Sequence, residues 1–114
     1  MTNNSTDIKL LSTTIATAIE SGRIGRPMFV RWMERVDADP ELYVAAALEV
    51  VSGWFGAEPV ASHRPGGSDL QATMFARWPD GQSAVLIAAP AGRASAPDLD
   101  VAVIGARGAA YHHA

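Results

Sequence analysis

Hydrophobic and polar positions alternate most cleanly between Leu70 and Trp78. Leu70, Ala72, Met74, Ala76 and Trp78 share one side of an extended segment, because successive side chains of a strand point to opposite faces. Gln71, Thr73, Phe75 and Arg77 share the other side. Trp78-Pro79-Asp80-Gly81-Gln82 then predicts a tight turn, since Gly supplies a positive φ at no steric cost and Asp-Gly is a strong hairpin signal. The returning segment, Ser83 to Ala89, is apolar on both sides. A strand of that kind has to be covered twice.

The remaining elements follow from the same pattern. Residues 1–7 are polar and read as a disordered N-terminus, leaving 8–114 as a single domain. Ile8, Leu11, Ile15, Ala18 and Ile19 keep the three-and-four spacing of an amphipathic helix, with Thr6 or Asp7 as its cap and Ser21-Gly22 as its stop. Gly22, Gly25 and Pro27 enforce a turn, and the β-branched and aromatic residues of 28–36 favour a strand. Asp39-Pro40-Glu41 starts a second helix with Pro at its first position. It runs to about Phe55 and is apolar around most of its circumference, so it should be heavily buried; Gly53 inside it either weakens it or lets a neighbour come close. A short edge strand at 59–64, a Gly-rich loop at 65–68, a small-residue loop at 91–97, a strand at 99–106 and a last strand at 109–113 complete the order. The predicted class is α+β: a largely antiparallel, open-faced sheet with two helices packed on one face.

Composition narrows this little. The chain has 114 residues, 48% of them hydrophobic, and is long enough to bury one core. No apolar run approaches the roughly 20 residues of a membrane helix, and the first residues lack the basic and apolar regions of a secretory signal. There is no cysteine, which excludes disulfides and thiolate metal sites and fits a cytoplasmic location. A net charge of −3 with scattered arginines argues against a nucleic-acid partner, and nothing points to a membrane partner.

Four stretches carry a family likeness. They are Ile19 to Arg31 with its Gly-x-x-Gly-x-Pro turn, Trp54-Phe55-Gly56-Ala57-Glu58-Pro59-Val60, Ala76-Arg77-Trp78-Pro79-Asp80-Gly81, and Val103 to Tyr111 with Gly105 and Gly108. In this order they resemble the C-terminal domain of the glucose–fructose oxidoreductase, inositol dehydrogenase and MocA family of NAD(P)-dependent sugar oxidoreductases, over about residues 8–113. The resemblance implies a substrate and oligomerisation domain, and in that family the open face of the sheet commonly joins subunits. The sequence also departs from the family. The Gly-x-Gly-x-x-Gly turn of a preceding Rossmann domain is missing, and with it the domain that holds the family's catalytic lysine. The family's catalytic histidine, three residues before an aspartate on the helix ending near Gly56, matches Ala46, with Glu49 at the acidic position; a shift of one gives Ala47 and Val50. Alanine cannot move a proton from a hydroxyl as imidazole does. No catalytic, cofactor-binding or metal residue is therefore assigned, and NAD(P) is expected only if a partner chain supplies the nucleotide-binding domain.

Other candidates have plain alternatives. His112 and His113 are adjacent on a strand and so point to opposite faces, which is poor geometry for one ion; terminal, solvated histidines are the plainer reading. Pro65-Gly66-Gly67 after His63-Arg64 lacks the Lys and Ser/Thr of a phosphate loop. Trp32, Trp54 and Trp78, in three separate elements, fit core or interface anchoring better than a sugar pocket, and no nucleophile elbow supports hydrolysis. Glu49, Trp54 and His63 remain as a candidate pocket. Phe75, Val85, Ile87, Val101 and Val103 are the expected apolar interface. The expected role is an accessory or stand-alone oxidoreductase C-terminal-like domain, not catalytic alone, forming a homodimer or a complex with an oxidoreductase subunit. The alternatives are a subunit of a NAD(P)-dependent sugar or polyol dehydrogenase with its nucleotide-binding domain on another chain, and a small-molecule, sugar-like binding module.

Overall fold

The computed structural model describes residues 4–66, 70–90 and 98–113, with residues 4–8 described as backbone alone. The chain order is α1 (Asn4–Glu20), β1 (Pro27–Val36), α2 (Pro40–Phe55), β2 (Ala61–His63), β3 (Ala72–Arg77), β4 (Ser83–Pro90), β5 (Leu99–Gly105) and β6 (Ala109–His113). The expected loop at 91–97 and part of that at 65–68 lie outside the described residues. All six strands form one open sheet in the order β2-β3-β4-β1-β5-β6, antiparallel except where β1 and β4 run parallel at its centre. This is the predicted α+β architecture.

Local chemistry sets the boundaries. Helix α1 begins at Asn4, three residues before the expected Asp7, because hydrophobic spacing marks the buried stripe of a helix and a polar first turn leaves no such mark. In α2, Pro40 takes the first helical position, where its missing N–H costs nothing. Asp39 before it adopts a left-handed conformation with φ 54° and makes no side-chain cap. The helix ends at Gly56, φ 74°, whose N–H bonds the carbonyl of Ser52 at 2.8 Å. Gly81 holds φ 91° in the β3–β4 turn, as the Asp-Gly pair predicts.

Helix α2 lies over β1, β3 and β4, and α1 over β6. Between the helices and the sheet sit Leu11, Ile15, Val30, Trp32, Leu86 and Val51, each almost wholly withdrawn from water. The Trp32 and Trp54 rings are 6.0 Å apart, and Phe55 meets Trp78 edge-on at 4.7 Å. The tryptophans thus fasten α2 and the β3–β4 turn to the sheet, which is the core member of the two anchoring roles that the sequence offered. Gly53 has nothing within 4 Å of where a Cβ would stand, so it admits no neighbour.

Two glycine motifs 80 residues apart dock on one another. In the turn after α1, the carbonyls of Ile24 and Arg26 accept bonds from Arg107 N–H at 2.8 Å and Ala106 N–H at 2.9 Å. The Arg107 side chain lies across Gly25, where a Cβ would be 2.7 Å from its Cγ. At the same end of the sheet Arg26 pairs with Asp80 of the hairpin turn at 2.5 Å.

Candidate functional site

One side of the sheet carries both helices; on the other, no described helix packs. Strand register fixes what that open face presents. Tyr111, Ala102, Arg31, Val85, Phe75 and His63 form one row across all six strands. A second row holds His113, Asp100, Met33, Ile87 and Thr73, and a third Ala109, Ile104, Phe29, Ser83, Arg77 and Ala61. Phe75 is 48% exposed, Ile104 43% and Tyr111 60%, whereas Val85 and Ile87 are half-buried among their neighbours. The exposed apolar side chains on this face therefore share it with Arg31, Arg77, Asp100, Thr73 and Ser83.

Phe75, Val85 and Ile87 stand on this open face, but the other two expected interface residues do not. Val101 and Val103 are fully buried beneath the helices, and Asp100, Ala102 and Ile104 are the β5 residues that point outward. The physical cause is register. Residues 99–106 are apolar at nearly every position, so alternation alone does not say which set turns inward, and pairing of Val101 with Trp32 and of Val103 with Val30 decides it.

The candidate pocket residues are not brought together. Glu49 is exposed on α2, Trp54 is half-buried against Trp32, and His63 lies on the opposite side of the sheet beside Phe75. Glu49 instead lines a shallow groove of about 640 Å³ with Ser52, Gly53 and Glu58 along the C-terminal half of α2. Of the family-matched positions, Ala46 is exposed next to this region and Ala47 is buried. His112 and His113 point to opposite faces, but they are not both solvated chain-end residues as expected: His113 Nδ1 lies 3.1 Å from Asp100 on the open face, and His112 Nε2 is buried with no hydrogen-bond partner among the described residues. Arg64 pairs with Glu41 rather than facing the glycines that follow it.

One polar side chain inside the protein escaped the sequence reading. Glu34 is 3% exposed on the helix side of β1, enclosed by Trp32, Tyr43, Val44, Ala47 and Leu86, and its Oε1 accepts a bond from Trp32 Nε1 at 3.2 Å. Desolvation pushes its carboxyl up from the ordinary 4.5, against a smaller lowering by the indole. The signal was available: Val30, Trp32, Glu34 and Val36 alternate in phase, which puts the glutamate with the core residues.

A nicotinamide dinucleotide would need backbone N–H groups and small residues to receive its pyrophosphate. The start of α2, which follows β1 as such a turn would, holds Asp37, Asp39, Pro40 and Glu41: three carboxylates and a residue with no N–H. These residues do not fit the cofactor. Among the described residues no three His, Asp or Glu side chains gather as a metal site, and no helix is long and apolar enough to cross a membrane.

No protein-family model matches the chain, and no curated protein does. Solved structures do match. UDP-N-acetylglucosamine 3-dehydrogenase from Acidithiobacillus ferrooxidans superposes with a TM-score of 0.72 and 19% identity over 94% of this chain and 39% of that one. Scyllo-inositol dehydrogenase from Lactobacillus casei, solved with bound NAD(H) and scyllo-inositol, gives 0.67 and 16% over 89% and 38%. Myo-inositol 2-dehydrogenase from Lactobacillus plantarum gives 0.65 and 16% over 89% and 38%. The chain therefore has a fold found in sugar and inositol dehydrogenases, and it spans less than two fifths of each of them.

Proposed function

We propose that this chain is an oxidoreductase-type substrate and assembly domain that does not transfer a hydride with its own side chains and acts through the open face of its sheet. The observation that carries this reading is the apolar, helix-free face of Phe29, Phe75, Val85, Ile87, Ile104 and Tyr111 on a fold shared with sugar dehydrogenases. Leaving such side chains in water costs on the order of 1.5–3 kcal/mol each relative to burial. Alanine at the position matching the family's histidine, and carboxylates where a pyrophosphate would have to sit, support a role without its own proton transfer or cofactor. The occupant of the face is a second copy or a separate oxidoreductase subunit.

Light scattering on the eluting protein tests this. Ile87→Glu should dissociate the assembly while leaving the far-ultraviolet circular dichroism unchanged, because Ile87 points away from the helices. A wild-type chain that stays monomeric at high concentration, binds no hydrophobic dye and gains no partner would overturn the reading.

The groove beside Glu49, Ser52 and Glu58 favours a second reading, in which the chain supplies the substrate side of a NAD(P)-dependent sugar or polyol dehydrogenase whose nucleotide-binding domain is on another chain. The same groove would serve a sugar-like ligand in a simple binding module. Titration with scyllo-inositol, alone and with NAD, separates them: the binding module takes the polyol unaided, and the enzyme subunit does so only with its partner. Tight binding of NAD by the isolated chain would exclude all three roles.

A further inference from the structure

The open face is not neutral. Its strand positions hold Arg31, Arg35 and Arg77, and a single carboxylate, Asp100. That aspartate lies 3.7 Å from Arg31 Nη2 and 3.1 Å from His113 Nδ1, and its Oδ1 accepts no hydrogen bond among the described residues. Arg77 makes no ion pair among the described residues, and the Nε of Arg35 is buried with no acceptor. The chain as a whole has a charge of −3, so this face opposes the sign of the molecule that bears it. The acidic residues Asp37, Asp39, Glu41, Glu49, Glu58 and Asp80 sit on α2 and in turns instead.

We propose that the open face receives a protein surface that is apolar at its centre and acidic at its margins, rather than the same face of a second copy. This rests on the assembly reading and gives its partner a chemistry. Arg35 and Arg77 lie six residues apart along the strands, so roughly 20 Å separates them at a rise of about 3.3 Å per residue. Met33, Val85 and Ile87 lie in the rows between them, alongside Arg31, which sits 3.7 Å from Asp100. A carboxylate over each arginine would satisfy a guanidinium that has no ion-pair partner among the described residues, and guanidinium–carboxylate pairs are the strong, bidentate kind. Two copies meeting face to face would instead bring six arginines together with only two aspartates, each beside an Arg31 of its own chain. Like charges in an interface disfavour that pairing. The molecule measures 36 × 28 × 19 Å, so its broad face is of the size of a standard interface, about 800 Å² per partner. The aliphatic centre fits a protein better than a nucleic acid, which would need a basic face across its whole track.

A charge-reversed copy of the chain serves as the acidic probe. Wild-type protein is mixed with the Arg35→Glu/Arg77→Glu variant, and the affinity is measured by sedimentation at low and high salt. Arg77→Glu alone, at an exposed position, is the second probe should the double variant not fold. The mixed pair should bind at least about tenfold tighter than either chain binds itself, lose that margin as salt screens the charges, and fail when Ile87→Glu is placed on the wild-type partner. Wild-type self-association as tight as the mixed pair would make a second copy the occupant, overturning the inference and leaving the assembly reading standing. Binding of single-stranded oligo-dT that depends on Arg35 and Arg77 would also overturn it. Monomers in every mixture, indifferent to Ile87→Glu, would remove the assembly reading as well.

Discussion

A Cβ added to Gly105 would stand 2.2 Å from the carbonyl oxygen of Ile24, closer than any two such atoms can approach. That carbonyl is not free to retreat, because it accepts the N–H of Arg107 at 2.8 Å. The glycine is therefore required by the backbone lying across it, where the turn after α1 docks on the end of β5.

Gly105→Ala should accordingly destabilise the protein by about 1–3 kcal/mol or more, the usual cost of overpacking. Gly53→Ala should do the opposite, gaining about 0.5–1 kcal/mol, since open space surrounds that position and Ala is the better helix former. Thermal unfolding of the two variants checks both signs. Similar melting temperatures would mean that the Ile24 carbonyl can move.

Glu34 gives the protein a pH dependence of predictable sign. Its carboxyl is raised above 4.5 in the folded state, so across that window the folded chain holds a proton that the unfolded chain has released. Stability from this group is whole below about 4.5 and falls as pH rises to the folded-state value, above which the cost of the buried charge stays constant. Glu34→Gln keeps the volume and the acceptor for Trp32 Nε1 while removing the ionisation. Denaturant unfolding from pH 4 to 8 should show the variant level with the wild type at the acid end and more stable at the alkaline end. A constant difference across the range would mean that the carboxyl does not titrate there.

Neighbouring residues of β5 should respond oppositely to charge. Val101→Glu places a carboxylate in the core beneath the helices and should unfold the domain, whereas Ile104→Glu, on the exposed face, should change stability by less than about 0.5 kcal/mol. Circular dichroism distinguishes the two. Loss of structure in both would mean that the β5 register differs from the pairing of Val101 with Trp32.

Those same β5 residues mark where sequence reasoning ran out. Alternation assigned β3 correctly, with Ala72, Met74 and Ala76 inward and Thr73, Phe75 and Arg77 outward, because polar residues occupy one side. In β5 hydrophobic residues occupy both sides, and the choice between them is made by a strand some 70 residues away. The candidate pocket failed for a related reason. Glu49, Trp54 and His63 lie within fifteen residues of one another in sequence, but the sheet itself separates the helix residues from His63. Turn chemistry carried further: Pro40, Gly56 and Gly81 each sit where their backbone preferences require. The arginines of the open face looked scattered because Arg77 of β3 is more than 40 residues from Arg31 and Arg35 of β1, and lateral pairing through β4 brings them onto one face.

The place of β1 between β4 and β5 has a consequence for biosynthesis. Of the six strands it leaves the ribosome first, yet both of its neighbours are encoded later, beginning at Ser83 and Leu99. During translation the hairpin of β3 and β4 can close locally, while Val30, Trp32 and their neighbours wait unpaired through half the length of the chain. Such delayed, distant closure makes folding slow and leaves a sticky nascent segment. This small domain should lean on holdase chaperones while it is being made.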